Sequence, residues 1–264
     1  MDPHFEQVAP GVLRLPLRTP TLPPATTTNT CIVVGERVAV IEPATPHADE
    51  RARLDALLAE LDAAGHPLAI VLLTHHHVDH IGYAPELRAR HGVPIAAHAE
   101  TAARLPFAID RTLDDGECIE LGDGVTLQAV FTPGHAPGHL VYVEQRSRIA
   151  YVGDMLAGEG TILIDPMDAG DMAAYLDSLA RIDRLQAAAL VPSHGPVLRE
   201  PTVAIAQYVA HRLAREAKVV AALEGGPLGW DELLARAYAD TPQFLWPIAE
   251  RSLEAHVRKL VGDG

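Results

Sequence analysis

Four side chains of types that bind metal ions lie within six positions of one another: His75, His77, Asp79 and His80. They directly follow residues 69–73, an apolar run typical of a buried strand. Alternate residues of an extended chain point to the same side, so His75 and His77 can share one face. The turn that follows would bring Asp79 and His80 to a neighbouring position. This spacing predicts a metal site at the end of the strand.

Three further candidate ligands, His135, Asp154 and His194, also follow strand-like runs. Those runs cover residues 125–131, 148–152 and 188–191. Each residue alone would be an ordinary loop residue, but together with the first cluster they could complete two three-ligand sets. Histidine and carboxylate ligands without thiolate suit Zn²⁺, or equally Fe or Mn at open catalytic sites. The sequence therefore predicts two divalent metal ions; Zn²⁺ is our first choice, and Fe and Mn fit the same donors.

The elements that would position these residues alternate between strands and helices. β-branched runs at 30–34 and 38–41, separated by Gly35-Glu36-Arg37, predict a hairpin. Leucines at helical spacing in residues 50–64 predict a helix. Two hairpin-plus-helix halves would form two sheets packed face to face with helices outside, a four-layer αββα arrangement. The Pro- and Thr-rich segment 19–28 predicts a long loop.

The character of the chain changes to helix alone after Pro201. Predicted helices cover residues 203–224, 230–238 and 248–261. They resemble the helical part of a winged helix, and the sequence stops at 262–264, where a wing hairpin would begin. Residues 1–202 hold 14 basic and 27 acidic side chains, whereas residues 203–264 hold 7 and 8. We therefore predict a catalytic domain over 1–202 and a small all-α, winged-helix-like domain over 203–264.

Composition restricts the partners. With 21 Lys+Arg against 35 Asp+Glu in 264 residues, the net charge of −14 disfavours binding to a long polyanion. No run approaches the roughly 18 apolar residues of a membrane helix, so we expect no membrane partner. Residues 1–6 lack the features of a signal peptide, and Cys31 and Cys118 cannot form a disulfide framework. These features predict a cytoplasmic protein.

The motifs resemble those of the metallo-β-lactamase superfamily over about residues 8–200. The matching motifs are His75-x-His77-x-Asp79-His80, Thr132-Pro133-Gly134-His135, Gly153-Asp154 and Ser193-His194-Gly195. The resemblance implies an αββα sandwich with metals at one edge of the sheets. It also implies that His75, His77 and His135 bind one metal, that Asp79, His80 and His194 bind the second, and that Asp154 bridges them.

The same resemblance implies a hydrolytic mechanism. A hydroxide held by two metals is a nucleophile at neutral pH, and Asp79 would orient it and transfer its proton. His139 and Tyr83 are placed beside the site by analogy, as second-layer or substrate contacts. The superfamily usually has Asp followed by Thr-Gly or Pro-Gly after an early strand, whereas this chain has Glu42-Pro43-Ala44. We therefore expect an unusual loop path there.

The tail resembles the C-terminal domain of the β-lactamase-like protein 2 group, which is associated with cleavage of single-stranded RNA. The matching residues are His211-Arg212, Arg215-Glu216, Leu233-Leu234, Tyr238, His256-Val257 and Lys259-Leu260. A solvated helix face would explain Arg212, Arg215 and Lys259 equally well. An apolar three-helix tail could also support a homodimer.

Two function classes remain open. The first is hydrolysis of a small ester, thioester or lactone, which the acidic body and the presence of only two lysines favour. The second is phosphodiester hydrolysis, in particular by a single-stranded RNA endoribonuclease, which the tail favours. A β-lactamase is disfavoured because members with that activity generally lack the bridging Asp154. A mononuclear iron dioxygenase would need only His75, His135 and Asp154.

Overall fold

The computed structural model describes residues 5–263. Of residues 1–6, which we predicted not to be a signal peptide, residues 1–4 lie outside the described residues. The strands are β1 (Glu6–Ala9), β2 (Val12–Arg18), β3 (Thr27–Val34), β4 (Val38–Ile41), β5 (Leu68–Leu72), β6 (Ile95–Ala97), β7 (Arg111–Thr112), β8 (Cys118–Gly122), β9 (Val125–Phe131), β10 (Leu140–Glu144), β11 (Ile149–Gly153) and β12 (Ala189–Pro192). The α-helices are α1 (Ala48–Ala63), α2 (Val78–Ile81), α3 (Ala84–His91), α4 (Ala99–Ala102), α5 (Met172–Arg184), α6 (Pro201–Leu223), α7 (Trp230–Ala237) and α8 (Trp246–Asp263). Short 3₁₀ helices cover Pro166–Asp168 and Gln243–Leu245.

The strands form two sheets. The first has the order β1-β2-β3-β4-β5-β6-β7, in which β1 to β4 pair antiparallel and β4 to β7 pair parallel. The second has the order β12-β11-β10-β9-β8, antiparallel except for the parallel pair β11 and β12. Parallel neighbours need crossover connections, and α1, α3 and α5 lie in three of those crossovers.

Three apolar cores hold the layers of the sandwich together. Side chains such as Ile41 and Leu127 from the inner faces of the two sheets pack together. Leu54 of α1 and Leu87 of α3 cover the outer face of the first sheet. Tyr175 and Leu179 of α5 cover the outer face of the second sheet, together with part of α6. The predicted αββα arrangement is therefore confirmed.

Strand direction brings the chemically active segments to one edge of the sandwich. β9 and β11 run the same way because each is antiparallel to β10, and β12 is parallel to β11. The segments that follow these three strands therefore leave the sheet at one edge. The backbone N–H of Leu140 donates to the carbonyl oxygen of Thr74 at 2.9 Å, and the Tyr142 hydroxyl donates to that of Leu73 at 2.8 Å. These bonds attach the end of β5 to the same edge.

The last three helices form a smaller apolar cluster of their own around Val219, Leu234 and Leu253. Between residues 201 and 263 the structure contains helices and turns but no strand. The predicted boundary at 202/203 falls in the first turn of α6, which contacts α5 as well as α7 and α8. The division into two domains there stays a prediction. In the described part of the chain, no helix has the length and apolarity needed to cross a membrane.

Candidate metal centre

Three imidazole nitrogens converge at the end of β5. His75 Nε2 lies 3.0 Å from His77 Nδ1, and His135 Nε2 lies 3.3 Å and 3.1 Å from these two atoms. Tetrahedral coordination with Zn–N bonds of 2.0–2.1 Å places ligand nitrogens about 3.3 Å apart. The three nitrogens therefore have the spacing of a shared metal ligand set.

The opposite nitrogen of each ring has its own partner. His75 Nδ1 lies 2.8 Å from Thr74 Oγ1, His135 Nδ1 lies 2.9 Å from the carbonyl oxygen of Leu163, and His77 Nε2 lies 2.6 Å from Asp168 Oδ2. The Thr74 hydroxyl donates to Glu42, so it accepts from His75. When these outer nitrogens donate, three lone pairs face one another inside the group. Such an arrangement can accommodate a cation. Hydrogen-bond partners on the opposite nitrogens, as here, orient histidines that bind metal.

A second group lies beside the first and consists of Asp79, His80 and His194. Asp79 Oδ1 lies 3.5 Å from His80 Nε2, and Asp79 Oδ2 lies 3.7 Å from His194 Nε2. The His194 Nδ1–H donates to the carbonyl oxygen of Thr27 at 3.0 Å, which turns Nε2 toward the group. Neither ring nitrogen of His80 forms a well-aligned hydrogen bond among the described residues, although Nδ1 lies 3.0 Å from Glu42 Oε2. These donors also fit a divalent cation.

Asp154 lies between the two groups. Its Oδ1 is 3.5 Å from His194 Nε2, and its Oδ2 is 3.6 Å from both His80 Nε2 and His135 Nε2. Burial would raise the pKa of Asp154, but His80 and His194 outweigh it and hold that pKa well below its ordinary value. Gly153, at φ +55°, has no room for a side chain, since a Cβ would lie 2.4 Å from His139 Nε2. The Gly153-Asp154 motif therefore serves both close packing and the placement of a carboxylate.

Glu42 is a fully buried carboxylate beneath the second group. Its Oε2 accepts from Tyr151 and Ser193 at 2.6 Å each and lies 3.0 Å from His80 Nδ1. Burial would lower the pKa of His80, but Glu42, Asp79 and Asp154 raise it well above its ordinary value. The centre thus favours positive charge strongly. Glu42 has φ +53°, a conformation in which non-glycine residues are strained. That the loop at Glu42-Pro43-Ala44 follows a different path from the superfamily's stays a prediction.

Asp168 contacts the candidate ligand His77, and the sequence did not reveal this contact. Asp168 belongs to the 3₁₀ helix Pro166–Asp168 and contacts His77 and also His76, whose Nε2 lies 3.1 Å from Asp168 Oδ2. The pKa of Asp168 is lowered because the neighbouring His77 and His76 outweigh the opposing effect of burial. No motif marks Asp168, which lies 91 positions from His77.

His139 and Tyr83 lie outside the cleft. The fully buried His139 lies 2.9 Å from Thr132 Oγ1 through Nδ1 and accepts from the backbone N–H of Asp154 at 3.2 Å through Nε2. Burial lowers the pKa of His139 to about 3. Tyr83 is also buried, and its hydroxyl donates to Asp55 on α1. His139 therefore helps to fix the backbone at Asp154. The Tyr83 hydroxyl points to α1 and not into the cleft.

The centre opens into a cleft of about 590 Å³. Candidate ligands on its wall are His77, Asp79, His135, Asp154 and His194. The loop before β3 contributes Thr21 to Ala25, and the segment 159–165 forms another part of the wall. Among the described lining residues, Arg104 is the one arginine or lysine, and it pairs with Glu100. The remaining lining residues are mostly apolar or acidic.

The three basic residues of the tail named above, Arg212, Arg215 and Lys259, each contact other residues of the protein. Arg212 is buried and donates to the carbonyl oxygen of Ile162, and its guanidinium lies over the ring of Tyr175. Arg215 pairs with Asp240 at 2.8 Å. Lys259 pairs with Glu216 at 3.0 Å. These contacts join helices to one another and to the cleft wall.

Comparison with known families gives two matches. Residues 24–194 match the Metallo-beta-lactamase superfamily, and residues 230–264 match the Beta-lactamase associated winged helix domain. The first match covers well over half of the chain and contains all seven candidate ligands, with His194 at its last position. The second begins at Trp230, the first residue of α7.

Relatives that align over most of their length support this assignment. An atrochrysone carboxyl ACP thioesterase from Aspergillus fumigatus is 31% identical over 84% of this chain and 68% of its own length. A beta-lactamase-like protein 2 homolog from Caenorhabditis elegans is 28% identical over 90% and 79%. The fold matches that of a metallo-beta-lactamase family protein from Thermus thermophilus, with a TM-score of 0.79 and 24% identity over 98% of this chain and 95% of that one. The chain therefore belongs to the metallo-beta-lactamase superfamily of hydrolases and has an associated winged-helix domain at its C-terminus.

Proposed function

We propose that this protein is a binuclear metal-dependent hydrolase that cleaves the acyl bond of a thioester or lactone with an apolar acyl group. His75, His77 and His135 would hold one metal, Asp79, His80 and His194 would hold the other, and Asp154, which lies between the two groups, would be a ligand common to both. Zn²⁺ is the preferred ion for this donor set, with Fe or Mn as alternatives. The convergence of three imidazole nitrogens beside the carboxylates of Asp79 and Asp154 supports the metal assignment.

The lining of the cleft carries the substrate assignment. Its apolar surface comes from residues such as Leu22, Ile81, Ile162 and Leu163, which suit an acyl chain. Carboxylates from Glu159, Asp165 and Asp168 also line it, and Arg104 is the one arginine among the described lining residues. Such a wall would repel the successive phosphates of an RNA strand. The thioesterase named among the relatives supports the same substrate class.

The metal ligands, Asp79 and the apolar cleft residues would have different roles in the proposed hydrolysis. Divalent metals in the two groups would lower the pKa of a bound water and polarise the scissile carbonyl. Asp79 lines the cleft, and its pKa is lowered because His80 and the Thr21 hydroxyl outweigh the effect of burial. As an ionised carboxylate, Asp79 can accept a hydrogen bond from the attacking water. It can then take a proton from that water and pass it to the leaving group. Apolar cleft residues would exclude bulk water from the acyl carbon.

A substrate panel tests the proposal. Metal-loaded protein is assayed with a medium-chain acyl thioester, a lactone and a fluorescent single-stranded RNA, alongside Asp79→Asn. We expect turnover of an acyl substrate and at least about a 100-fold loss in the variant, because proton transfer contributes that much. RNA should remain intact. RNA cleavage that Asp79→Asn abolishes, without acyl turnover, would instead assign the protein to the nuclease class.

A further inference from the structure

The longest helix of the tail, α6, has an apolar face that no other described part of the chain covers. Ile205, Arg212 and Val219 of α6 recur every seven residues and are buried against the rest of the protein. The opposite side has a second seven-residue pattern, and all of its members are exposed. They are Val203, Ala206, Ala210, Leu213, Ala217 and Val220. Positions spaced alternately by three and four residues along a helix form the seam by which two helices pack together. We call these six residues the α6 seam.

The exposure of the seam is high for apolar side chains. Val203 is 49% exposed, and Leu213 and Val220 are each 47% exposed. Ala214 and Ala221 widen the same face and are exposed as well. The ionised side chains of α6 point elsewhere, since Arg215 and Lys218 bind Asp240 and Glu216 binds Lys259. A continuous apolar face of this kind indicates an interaction surface.

The order of residues along the seam indicates its occupant. The two end positions of the seam are valines, and the next position inward from each end is an alanine. The two central positions are Ala210 and Leu213. An antiparallel second copy would therefore place Val203 opposite Val220, Ala206 opposite Ala217, and Ala210 opposite Leu213, each pair occurring twice. The small alanines allow two helices to approach closely, and Leu213 meets a small residue. We propose that α6 forms an antiparallel, two-fold symmetric contact with α6 of a second copy of this chain.

Charge agrees with this arrangement. The seam itself contains no ionisable residue, so two copies can pack along it without burying a charge. Residues 203–264 hold 7 basic and 8 acidic side chains, whereas residues 1–202 hold 14 and 27. Two copies therefore meet with the least repulsion through their tails. The inference does not depend on the proposed function.

The size of the contact sets the expected strength. A helix of 23 residues is about 34 Å long at a rise of 1.5 Å per residue. A contact through one pair of helices falls below the roughly 1,200 Å² that separates weak from standard interfaces. We therefore expect a dimer that dissociates on dilution and not a permanent one.

Sedimentation velocity over a range of concentrations tests the dimer and its surface. Wild-type protein should shift from monomer at low micromolar concentration to dimer at several hundred micromolar. Leu213→Glu should stay monomeric, because it places two charges at the centre of the seam. Phe244→Glu is the matched control, since Phe244 is 80% exposed and lies outside α6. A wild-type protein that is monomeric throughout overturns the proposal, and so does dissociation by Phe244→Glu but not by Leu213→Glu.

Cross-linking tests the orientation. In a Cys118→Ser background, which removes the exposed native thiol, Val203→Cys and Val220→Cys are prepared separately. A short bismaleimide should link a mixture of the two variants and neither variant alone. The reason is that an antiparallel contact places residue 203 beside residue 220 and about 25 Å from its own copy. Linking of Val203→Cys to itself would overturn the antiparallel arrangement.

Discussion

Individual residues beneath the centre contribute as much to its geometry as the candidate ligands. Glu42 is fully buried, contacts Thr74, Tyr151 and Ser193, and lies 3.0 Å from His80. Burial would raise the pKa of Glu42, yet His80 and the hydroxyl donors lower it, so the carboxylate is ionised. A buried charge in contact with a candidate ligand orients that ligand and raises its basicity.

We predict that Glu42→Gln lowers the affinity of the second metal position by about 10- to 100-fold while the fold remains intact. The amide keeps the shape of the side chain but loses the charge that faces His80. Competition with a fluorescent chelator measures the affinity, and circular dichroism checks the fold. Ser193→Ala is the matched control, since it removes one hydrogen bond to Glu42 and leaves the charge in place. Equal affinities for wild type and Glu42→Gln would show that Glu42 has only a packing role.

The sequence predicts which site residues lie close together where they are also close along the chain. His75, His77, Asp79 and His80 share one strand end, so their proximity follows from local geometry. The partners of these residues do not follow in this way, because Asp168 reaches His77 only through the tertiary fold. The placement of Tyr83 could not be predicted either, since its hydroxyl direction depends on the packing of α3 against α1. Whether the seven residues bind metal stays a prediction.

The contact between α6 and α8 contains a buried histidine with an unusual environment. His256 has no exposed surface, and its Nδ1 lies 3.5 Å from Glu216 Oε2. Burial lowers the pKa of His256 to about 4, with Arg212 acting in the same direction and Glu216 against it. In the unfolded chain a histidine binds a proton near pH 6.5. Between these two values the unfolded state binds more protons, so stability decreases as the pH falls from about 6.5 toward 4.

We predict that His256→Phe weakens this pH dependence. The free energy of unfolding of metal-loaded protein, measured with urea at pH 7.5 and 5.5, should decrease less in the variant than in the wild type. Metal loss at the lower pH should affect both proteins equally, because His256 lies outside the candidate ligand groups. His91→Gln, at an exposed position on α3, should behave like the wild type. If His256→Phe also behaves like the wild type, the buried imidazole does not contribute to acid destabilisation.

Elements with strong periodicity or β-branched runs are predictable from the sequence. The hairpin of β3 and β4 and the three tail helices lie close to their predicted positions. β7 contains only two residues, too few for any pattern, and its pairing with β6 depends on the neighbouring strands. The exposure of the α6 seam could not be predicted from the sequence either. A helical repeat shows which residues share a face, but it does not show which face is covered.

At the scale of the whole molecule, the tail supports the cleft from behind. Arg212 of α6 and Arg251 of α8 contact the segment that forms one wall, through the carbonyl oxygen of Ile162 and the carboxylate of Asp165. The basic side chains that suggested RNA binding are thus used within the protein. The acidic cleft wall likewise agrees with an uncharged acyl substrate. The contacts of Arg212 and Arg251 connect the C-terminal helices with the shape of the site.

The proposed function requires two metal ions bound by the seven candidate ligands. Mass spectrometry of purified, dialysed protein gives the metal-to-protein ratio, and His194→Ala is prepared in parallel. We predict about two equivalents per chain for the wild type and about one for the variant, which loses a ligand of the second position only. A reproducible single equivalent in wild-type protein with full acyl-hydrolase activity would contradict the binuclear account.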